Sequence, residues 1–302
     1  MQLPGFRVVY IFMRWCWSFS FLGLAASSAI AQIQIEIKFP RLQYVAYEPI
    51  VANLTLTNLA GRDVDLRDNG SQPWFGFEVA DGEGRSISQI SGADNQPLRV
   101  AAGQRVTRKF DLTRLYGVHD FGTYHVRAHV YLPDLNKFFY SPTKVVEVAD
   151  AHPIWQKTVG VPQEEAVHGN ARTYSLMTNR FSDHTSLYVR VEDRDRGLVY
   201  ATYSLGPVIA FDQPQAEFDH SNQLHVLYCA APRVWSYARV GLNGELVSRA
   251  SFDETRSRPR LVHSDDGVIK VAGGIMERPI TPVTRNEAAK LSAGPSNAST
   301  ED

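Results

Sequence analysis

The sequence predicts an all-β protein that begins with an antiparallel sandwich and continues into a second region of β-sheet. The first observation is alternation: Ile33, Ile35 and Ile37 are separated by polar residues, as in a strand with one buried face. The second is the regular return of turn signals rich in Gly, Asn and Asp between short apolar runs. The third is that no convincing amphipathic helix pattern interrupts residues 32–149.

The amino terminus has the features of a secretory signal. Arg7 and Arg14 precede an apolar run that ends in small residues, with Ala29 and Ala31 at the positions a signal peptidase requires. We therefore expect residues 1–31 to be removed by cleavage after Ala31, which places the mature protein in the periplasm or outside the cell. The alternative is an uncleaved anchor, but the apolar run is shorter than the roughly 20 residues of a spanning helix and contains several serines.

The composition of the chain excludes some classes of partner and indicates what stabilises the fold. Removing residues 1–31 takes away two arginines and no acid, so the formal net charge changes from -1 to -3 (-1 minus 2). That charge predicts no binding to nucleic acid and no attraction to an anionic membrane. Cys229 is the only cysteine left in the mature chain, so no internal disulfide is expected and stability has to come from a packed core. No cofactor-binding motif is present.

Short strand segments account for most of the first region. They lie at 33–37, 50–58, 64–66, 75–79, 85–90, 106–112, 122–132 and 138–148. Residues 81–84, Asp-Gly-Glu-Gly, form a hairpin turn signal between two of these segments. About seven short strands with turn chemistry between them are typical of an antiparallel sandwich.

Two motifs in this region resemble bacterial immunoglobulin-like domains. The acid-proline pair Glu48-Pro49 precedes a strand that ends at Asn58, and residues 120–124, Asp-Phe-Gly-Thr-Tyr, are similar to the tyrosine corner of such sandwiches. The resemblance covers residues 32–149 and implies that the Tyr124 hydroxyl bonds back to the backbone. The usual Cys and Trp of these domains are missing, so it implies a disulfide-free member.

Two further boundaries follow from composition. The sequence Asp-Ala-His-Pro at 150–153 is typical of a break between domains, and we expect a linker over residues 150–170. A repeat-containing β region is expected over 171–275. Residues 276–302 are rich in Pro, Ala, Ser, Thr and Asn and poor in large apolar side chains, so they are expected to form a disordered tail.

The second region contains a weak internal repeat. Residues 187–205 align with residues 224–242, so that Tyr200-Ala201 falls on Tyr237-Ala238. Asn243-Gly244 is a strong hairpin signal inside the second copy. Repeats of about 40 residues with three or four short strands resemble the blades of secreted β-propellers.

The resemblance to a propeller is incomplete. About three copies fit between Ala171 and Gly274, whereas a closed propeller has about four to eight blades. The repeats therefore stack as an open assembly or are completed by another copy of the chain, unless the region is an ordinary meander. No aspartate-box motif is present, so no catalytic residue of sialidases is carried over.

One predicted strand has a distinctive face. His125, Arg127, His129 and Tyr131 occupy alternate positions and share one side of the sheet. The two histidines are too far apart to bind one metal ion, at about 3.3 Å per residue. We interpret this face as solvated or as an interface. If it meets the second region, Arg127 and Tyr131 are its natural anchors.

Several aromatic residues lie near turns and have two interpretations. Trp74 and Phe75 follow a Gly- and Asn-containing turn, and Trp235 lies in the second region. Such rings either bind a protein or a glycan at the surface or fill the core. The candidate binding residues are Trp74, Phe75, Arg127, Tyr131 and Trp235.

No motif for catalysis or metal binding is present, although a triad dispersed along the chain remains open. The sequence therefore favours an exported, non-enzymatic binding or structural protein with a protein or glycan partner. The alternative is a secreted hydrolase or lyase with a site between the two β regions. Clustering of His184, His220 or His263 with a carboxylate in one pocket would favour that alternative.

Overall fold

A computed structural model describes residues 33–70, 73–92, 96–161, 171–264 and 266–282. The predicted all-β class is confirmed: the structure is 60% strand and 3% helix, with several antiparallel sheets. The predicted signal peptide, and the part of the predicted tail after residue 282, lie outside the described residues.

The first region consists of short strands with one helical turn between two of them. The strands are β1 (Ile33–Lys38), β2 (Gln43–Val45), β3 (Val51–Asn58), β4 (Val64–Leu66), β5 (Phe75–Asp81), β6 (Ser86–Ile87), β7 (Leu98–Val100), β8 (Arg105–Asp111), β9 (Gly122–Leu132), β10 (Lys137–Tyr140) and β11 (Lys144–Ala149). The helix α1 (Leu112–Tyr116) is capped at its amino end by Asp111, whose carboxylate accepts hydrogen bonds from the backbone amides of Thr113 and Arg114.

These strands form two main sheets. One has three strands in the order β1-β3-β8, and the other has the order β2-β11-β9-β5-β6, with β10 also paired to β9. A small sheet pairs β4 with β7. Within these sheets, pairing is antiparallel except between β2 and β11.

A single apolar core fills the space between the two main sheets. Ile33, Ile35 and Ile37 are buried in this core while the residues between them are more exposed, which is the predicted alternation. The core also receives residues from α1, including Leu112 and Tyr116. Burial of alternate side chains from both sheets is what holds the two layers together.

In this region, hydrogen bonds from side chains to the backbone hold the loops and one strand edge in place. The Tyr124 hydroxyl donates to the Asp120 carbonyl oxygen at 2.8 Å, which is the bond implied for a tyrosine corner. The Asn58 amide donates to the carbonyl oxygens of Val100 and Ala101 at 2.8 and 3.1 Å, so the Asn that ends β3 ties down the loop beside it. The Tyr116 hydroxyl bonds the backbone of β5, which covers part of an otherwise open strand edge.

The second region is a succession of longer strands. They are β12 (His152–Gly160), β13 (Ala171–Arg180), β14 (Thr185–Asp193), β15 (Leu198–Pro207), β16 (Gln215–Phe218), β17 (Leu224–Ala231), β18 (Val234–Val240), β19 (Leu246–Asp253), β20 (Arg260–His263), β21 (Ile269–Ala272) and β22 (Ile275–Pro282). β12 to β15 form a four-stranded antiparallel meander. β16 to β19 form a second meander, which β22 extends by pairing with β19, and β20 and β21 form a separate hairpin.

The sheets of the second region pack one on another. One core combines Tyr174, Leu187 and other residues of the first meander with Leu224, Val226 and other residues of the second. A further core lies on the opposite side of the second meander, where Leu261 from the hairpin packs against it. The second meander is therefore covered on both faces.

The predicted strand over residues 138–148 is two strands, β10 and β11, and the strand predicted over 85–90 is limited to β6. The structure also differs from the predicted domain boundaries at two segments. Residues 152–160 of the predicted linker form β12, and residues 276–282 of the predicted tail belong to β22. Most of the β12 side chains are exposed, so no apolar alternation marked the strand; its backbone pairing with β13 defines it.

Candidate binding surface

The outer side of β9 and β10 carries the residues that the sequence singled out. Along β9, Val126, Ala128 and Val130 point into the core, so Arg127, His129 and Tyr131 point outward. A turn at Pro133–Leu135 brings β10 back, which places Phe138 opposite Tyr131 and Tyr140 opposite His129. We call this surface the aromatic face; its residues are Arg127, His129, Tyr131, Phe138 and Tyr140.

The rings of the aromatic face form a continuous cluster. The ring centroids of Tyr131 and Phe138 are 5.0 Å apart, those of His129 and Phe138 are 5.5 Å apart, and those of Phe138 and Tyr140 are 6.3 Å apart. These distances lie in the range of favourable aromatic pairs. The Arg127 guanidinium lies 4.5 Å from the Tyr140 ring centroid and pairs with Glu78 of β5 at 2.6 Å, so its charge is balanced locally.

His129 lies directly over a glycine of the neighbouring strand. A Cβ atom on Gly76 would come within 2.8 Å of the His129 ring, so only glycine lets the imidazole lie across β5. Burial lowers the pKa of His129, while Glu78 opposes that shift. The imidazole is therefore neutral near pH 7 and acts as part of the aromatic cluster.

Access to the aromatic face differs between its members. Tyr140 is 46% exposed, and Val145 of the adjacent β11 is also exposed. Tyr131 is buried beneath the cluster, and its hydroxyl donates to Asn136 at 2.7 Å. A ligand would meet Tyr140, Phe138 and Arg127, while Tyr131 packs beside Phe138.

The outer side of the three-stranded sheet has a different character. At three positions on each of β1, β3 and β8, the strand register places polar side chains together: Gln34, Glu36, Lys38, Asn53, Thr55, Thr57, Arg105, Thr107 and Lys109. Thr55 and Thr107 share a hydrogen bond at 3.0 Å, and Lys38 pairs with Glu36 at 3.2 Å. This is an ordinary solvated sheet face.

The three other predicted binding residues lie in the cores. Trp74 and Phe75 are each 1% exposed in the sandwich core. Trp235 is equally buried in the second region, where its indole donates to Glu254 at 2.7 Å. This placement is the second of the two interpretations that the sequence allowed, and a ligand would reach these rings only if the surrounding strands moved.

Contacts between the two β regions use residues that the sequence did not select. Glu48 is 0% exposed and accepts hydrogen bonds from Arg41 and from the Val45 amide. Arg41 also donates to the Tyr188 hydroxyl of β14 at 2.7 Å. Burial raises the pKa of Glu48, and the charge of Arg41 opposes that shift. The acid of the acid-proline pair is thus part of the joint between the two regions.

A stack of three side chains extends this joint to the surface. Tyr47 has a φ of 65°, an uncommon conformation for a residue other than glycine. Its ring stacks on His119, with centroids 4.7 Å apart, and the Arg190 guanidinium lies 5.2 Å from the Tyr47 ring centroid. Arg190 also donates to the Ala46 carbonyl oxygen at 2.7 Å. The sequence predicts Arg127 and Tyr131 as anchors if their face meets the second region, whereas these joint contacts use other residues.

The three histidines expected to mark a catalytic pocket lie at exposed positions. His184 is exposed beside Asp183, His263 is exposed and 3.9 Å from Glu217, and His220 is exposed on a turn. The buried histidine is His225, which contacts Asp219 and Tyr237. In the sequence, His225 is marked only as a polar residue within the apolar run that forms β17. Among the described residues, no group of three or more His, Cys, Asp or Glu could hold a metal ion.

No protein-family model matches the chain, and no curated protein does either. Among solved structures, the chain is similar to Spo0M, a sporulation control protein from Bacillus subtilis, with 10% sequence identity and a TM-score of 0.29. The alignment covers 58% of this chain and 91% of that one. A likeness this weak carries no argument about function. Within the described part of the chain, no helix has the length and apolar character needed to cross a membrane.

Proposed function

We propose that this chain is an exported, non-enzymatic protein that binds a partner through its aromatic face. In this proposal the first region is an immunoglobulin-like sandwich, supported by the Tyr124 bond to Asp120 and by the loop contacts of Asn58. The second region is a stack of propeller-like blades, supported by two successive meanders that share a core.

The contrast between the two outer faces of the sandwich carries the proposal. Both faces belong to one small sandwich, yet one presents polar side chains at nine paired positions and the other a cluster of rings with Tyr140 half exposed. Keeping aromatic surface in water is unfavourable unless the surface meets a partner, and Tyr and Arg are enriched where partners bind.

The chemistry of this face defines the class of partner. The charge of Arg127 is balanced by Glu78, and His129 is neutral, so the face attracts neither strong anions nor strong cations. Rings beside a hydrogen-bonding ion pair suit a glycan or an uncharged patch of a protein. The net charge of -3 after signal removal disfavours nucleic acid.

Binding assays on the mature chain, residues 32–302, test this function. One arm is a glycan array, and the other is cross-linking in extracts of the cell envelope and growth medium followed by identification of the captured protein. The double variant Tyr140→Ala with Arg127→Ala should abolish the binding signal in whichever of the two assays detects a partner of the wild-type chain. The matched control, Thr55→Ala with Thr107→Ala on the polar face, should leave it unchanged. Equal loss or equal retention in both double variants would contradict the proposal.

Export is tested separately. The purified protein should begin at Gln32 by amino-terminal sequencing and should be released from cells without detergent, because the apolar segment is removed. A protein that keeps residues 1–31 and requires detergent would contradict the expectation that no membrane anchor remains.

The alternative of a hydrolase or lyase rests on surface pairs of the predicted histidines, His184 beside Asp183 and the exposed His263 that lies 3.9 Å from the exposed Glu217. At the joint between the two regions, Arg41, Glu48 and Tyr188 bond to one another, and His184, His220 and His263 lie at exposed positions elsewhere. Turnover of a glycan identified on the array would nevertheless establish that alternative.

A further inference from the structure

A cluster of ionisable side chains lies where the β20–β21 hairpin meets the second meander, far from the aromatic face in sequence. We call it the His225 cluster; its members are Glu217, Asp219, His225, Tyr237, Arg239 and His263. His225 is on the same side of β17 as Leu227 and Cys229, and this side is the one covered by Leu261 and Val271 of the hairpin.

Both ring nitrogens of His225 have partners although the residue is only 2% exposed. Its Nε2 lies 3.1 Å from an Asp219 oxygen, and its Nδ1 lies 2.7 Å from the Tyr237 hydroxyl. Because Asp219 only accepts, Nε2 carries the hydrogen, and Nδ1 of the neutral ring accepts from Tyr237. We assign this tautomer from the hydrogen-bond network.

The remaining charges come from three neighbouring strands. The register places Glu217 of β16 and Arg239 of β18 on either side of His225. His263 on β20 lies 3.9 Å from Glu217, and its charge, when protonated, acts on His225. The hairpin is also tied to β16 by the Leu261 amide, which donates to Gln215 at 2.8 Å.

We propose that His225 is a proton-operated latch, which holds the β20–β21 hairpin down when neutral and releases it when protonated. Protonation adds a hydrogen to Nδ1, so the Tyr237 hydroxyl loses its acceptor inside the core on which the hairpin packs. It also places a positive charge beside Arg239, the residue paired with His225 on the neighbouring strand. Release exposes the apolar side of the second meander that Leu261 and Val271 had covered.

Two opposing effects decide whether His225 stays neutral. Burial disfavours the charged imidazolium and lowers the pKa of His225, and Arg239 and His263 act in the same direction. The hydrogen bond and negative charge of Asp219 act in the other direction. The Asp219 carboxylate also accepts from the Ser221 and Gln223 amides at 2.9 Å each, so part of its hydrogen-bonding capacity is already used.

Hydrogen exchange on the mature chain tests the latch. After correction for intrinsic exchange rates, protection of the amides of β20 and β21 should fall about tenfold or more between neutral pH and about pH 5, since histidine titrates in this range. Amides of β3 and β8 in the sandwich are the internal reference and should change less. Equal loss of protection in both places would contradict a local latch.

Variants separate His225 from other titrating groups. His225→Gln stays neutral and should remove the acid-induced loss of protection, while His184→Gln, at an exposed histidine, should leave that loss unchanged. Tyr237→Phe removes the donor that favours the neutral ring, so the loss should begin at higher pH. Should the Gln variant fail to fold, NMR titration of His225 in the wild-type chain decides, because a pKa above the usual value of about 6.5 overturns the proposal.

Discussion

The two β regions bury their side chains in different ways. The sandwich has a single core between two sheets, and its outer faces meet solvent. In the second region the sheets are stacked, so strands such as β17 are buried on both faces. Buried polar side chains are therefore few in the sandwich and numerous in the stack, where Ser175, Asp193 and His225 are examples.

This difference in burial determines which kind of function each region can carry. A sheet face that meets solvent is free to carry a binding surface, and the aromatic face lies on such a sheet. A polar group enclosed between sheets must find its partners within the protein, since an unpaired buried polar group is unfavourable. Buried titratable groups occur in both regions, Glu48 in the sandwich and His225 in the stack, whereas the cluster of rings presented to a partner lies on the sandwich.

The largest expected loss of unfolding free energy is at the joint between the two regions, where the buried carboxylate of Glu48 lies. Glu48→Ala removes the carboxylate that pairs with Arg41 and leaves the guanidinium, whose side chain is only 19% exposed, without its charge partner. Breaking a buried pair in this way costs about 3–5 kcal/mol of unfolding free energy. Chemical denaturation measures the loss. Asp63→Ala, at an exposed pair with Arg99, is the control and should change little.

The next effect compares the two cores directly. Leu54 lies in the sandwich core and Leu187 in the core shared by the stacked sheets, and both are fully buried. Leu54→Ala and Leu187→Ala should each lower the unfolding free energy by about 2–5 kcal/mol. A much smaller loss for Leu187→Ala would mean that the two meanders do not pack as tightly as the sandwich, and the comparison would fail.

A smaller effect is expected where the aromatic face is attached to its sheet. Gly76→Ala forces the His129 ring away from β5 and should cost about 1–3 kcal/mol, the range for overpacking. It should also weaken binding at the aromatic face. Gly82→Ala is the control, because a Cβ there meets Thr123 only at ordinary contact distances of 3.6 Å or more. No loss of stability in the Gly76 variant would show that the ring moves freely.

The smallest expected effect is the decrease of the unfolding free energy at acidic pH. The pKa of His225 and that of His129 are both lowered, so below a pH of about 6.5 the unfolded chain binds more protons than the folded chain. Unfolding free energy should therefore fall as the pH drops below that value. His225→Gln should reduce this slope, and His129→Gln should reduce it independently. If neither variant changes the slope, other groups control the acid sensitivity.

Several features of the fold were predictable because they depend on neighbours in sequence. Alternation of isoleucines predicted β1, and the Asn243-Gly244 turn lies between β18 and β19 with Gly244 at a φ of 82°. The Tyr124 hydroxyl reaches a carbonyl oxygen only four residues away. Local chemistry of this kind is readable from one chain.

The candidate site was predictable only in part. Arg127, His129 and Tyr131 share a face because strand side chains alternate, which sequence alone reveals. The contribution of Phe138 and Tyr140 depends on the turn at Pro133–Leu135 and on the register of β10, which composition does not specify. For Trp74, Phe75 and Trp235, the sequence left core and surface as alternatives, and only the packing of the sheets assigned them to cores.

By itself, then, the sequence determined the β class, the order of the segments and which residues of β9 point together, since these follow from the two-residue period of a strand and from turn chemistry. Tertiary structure decided which faces are covered. Burial depends on what packs against a strand from far along the chain, as when Arg41 meets Tyr188 or the hairpin covers His225. The pattern of residues within one strand does not indicate which distant segment will pack against that strand.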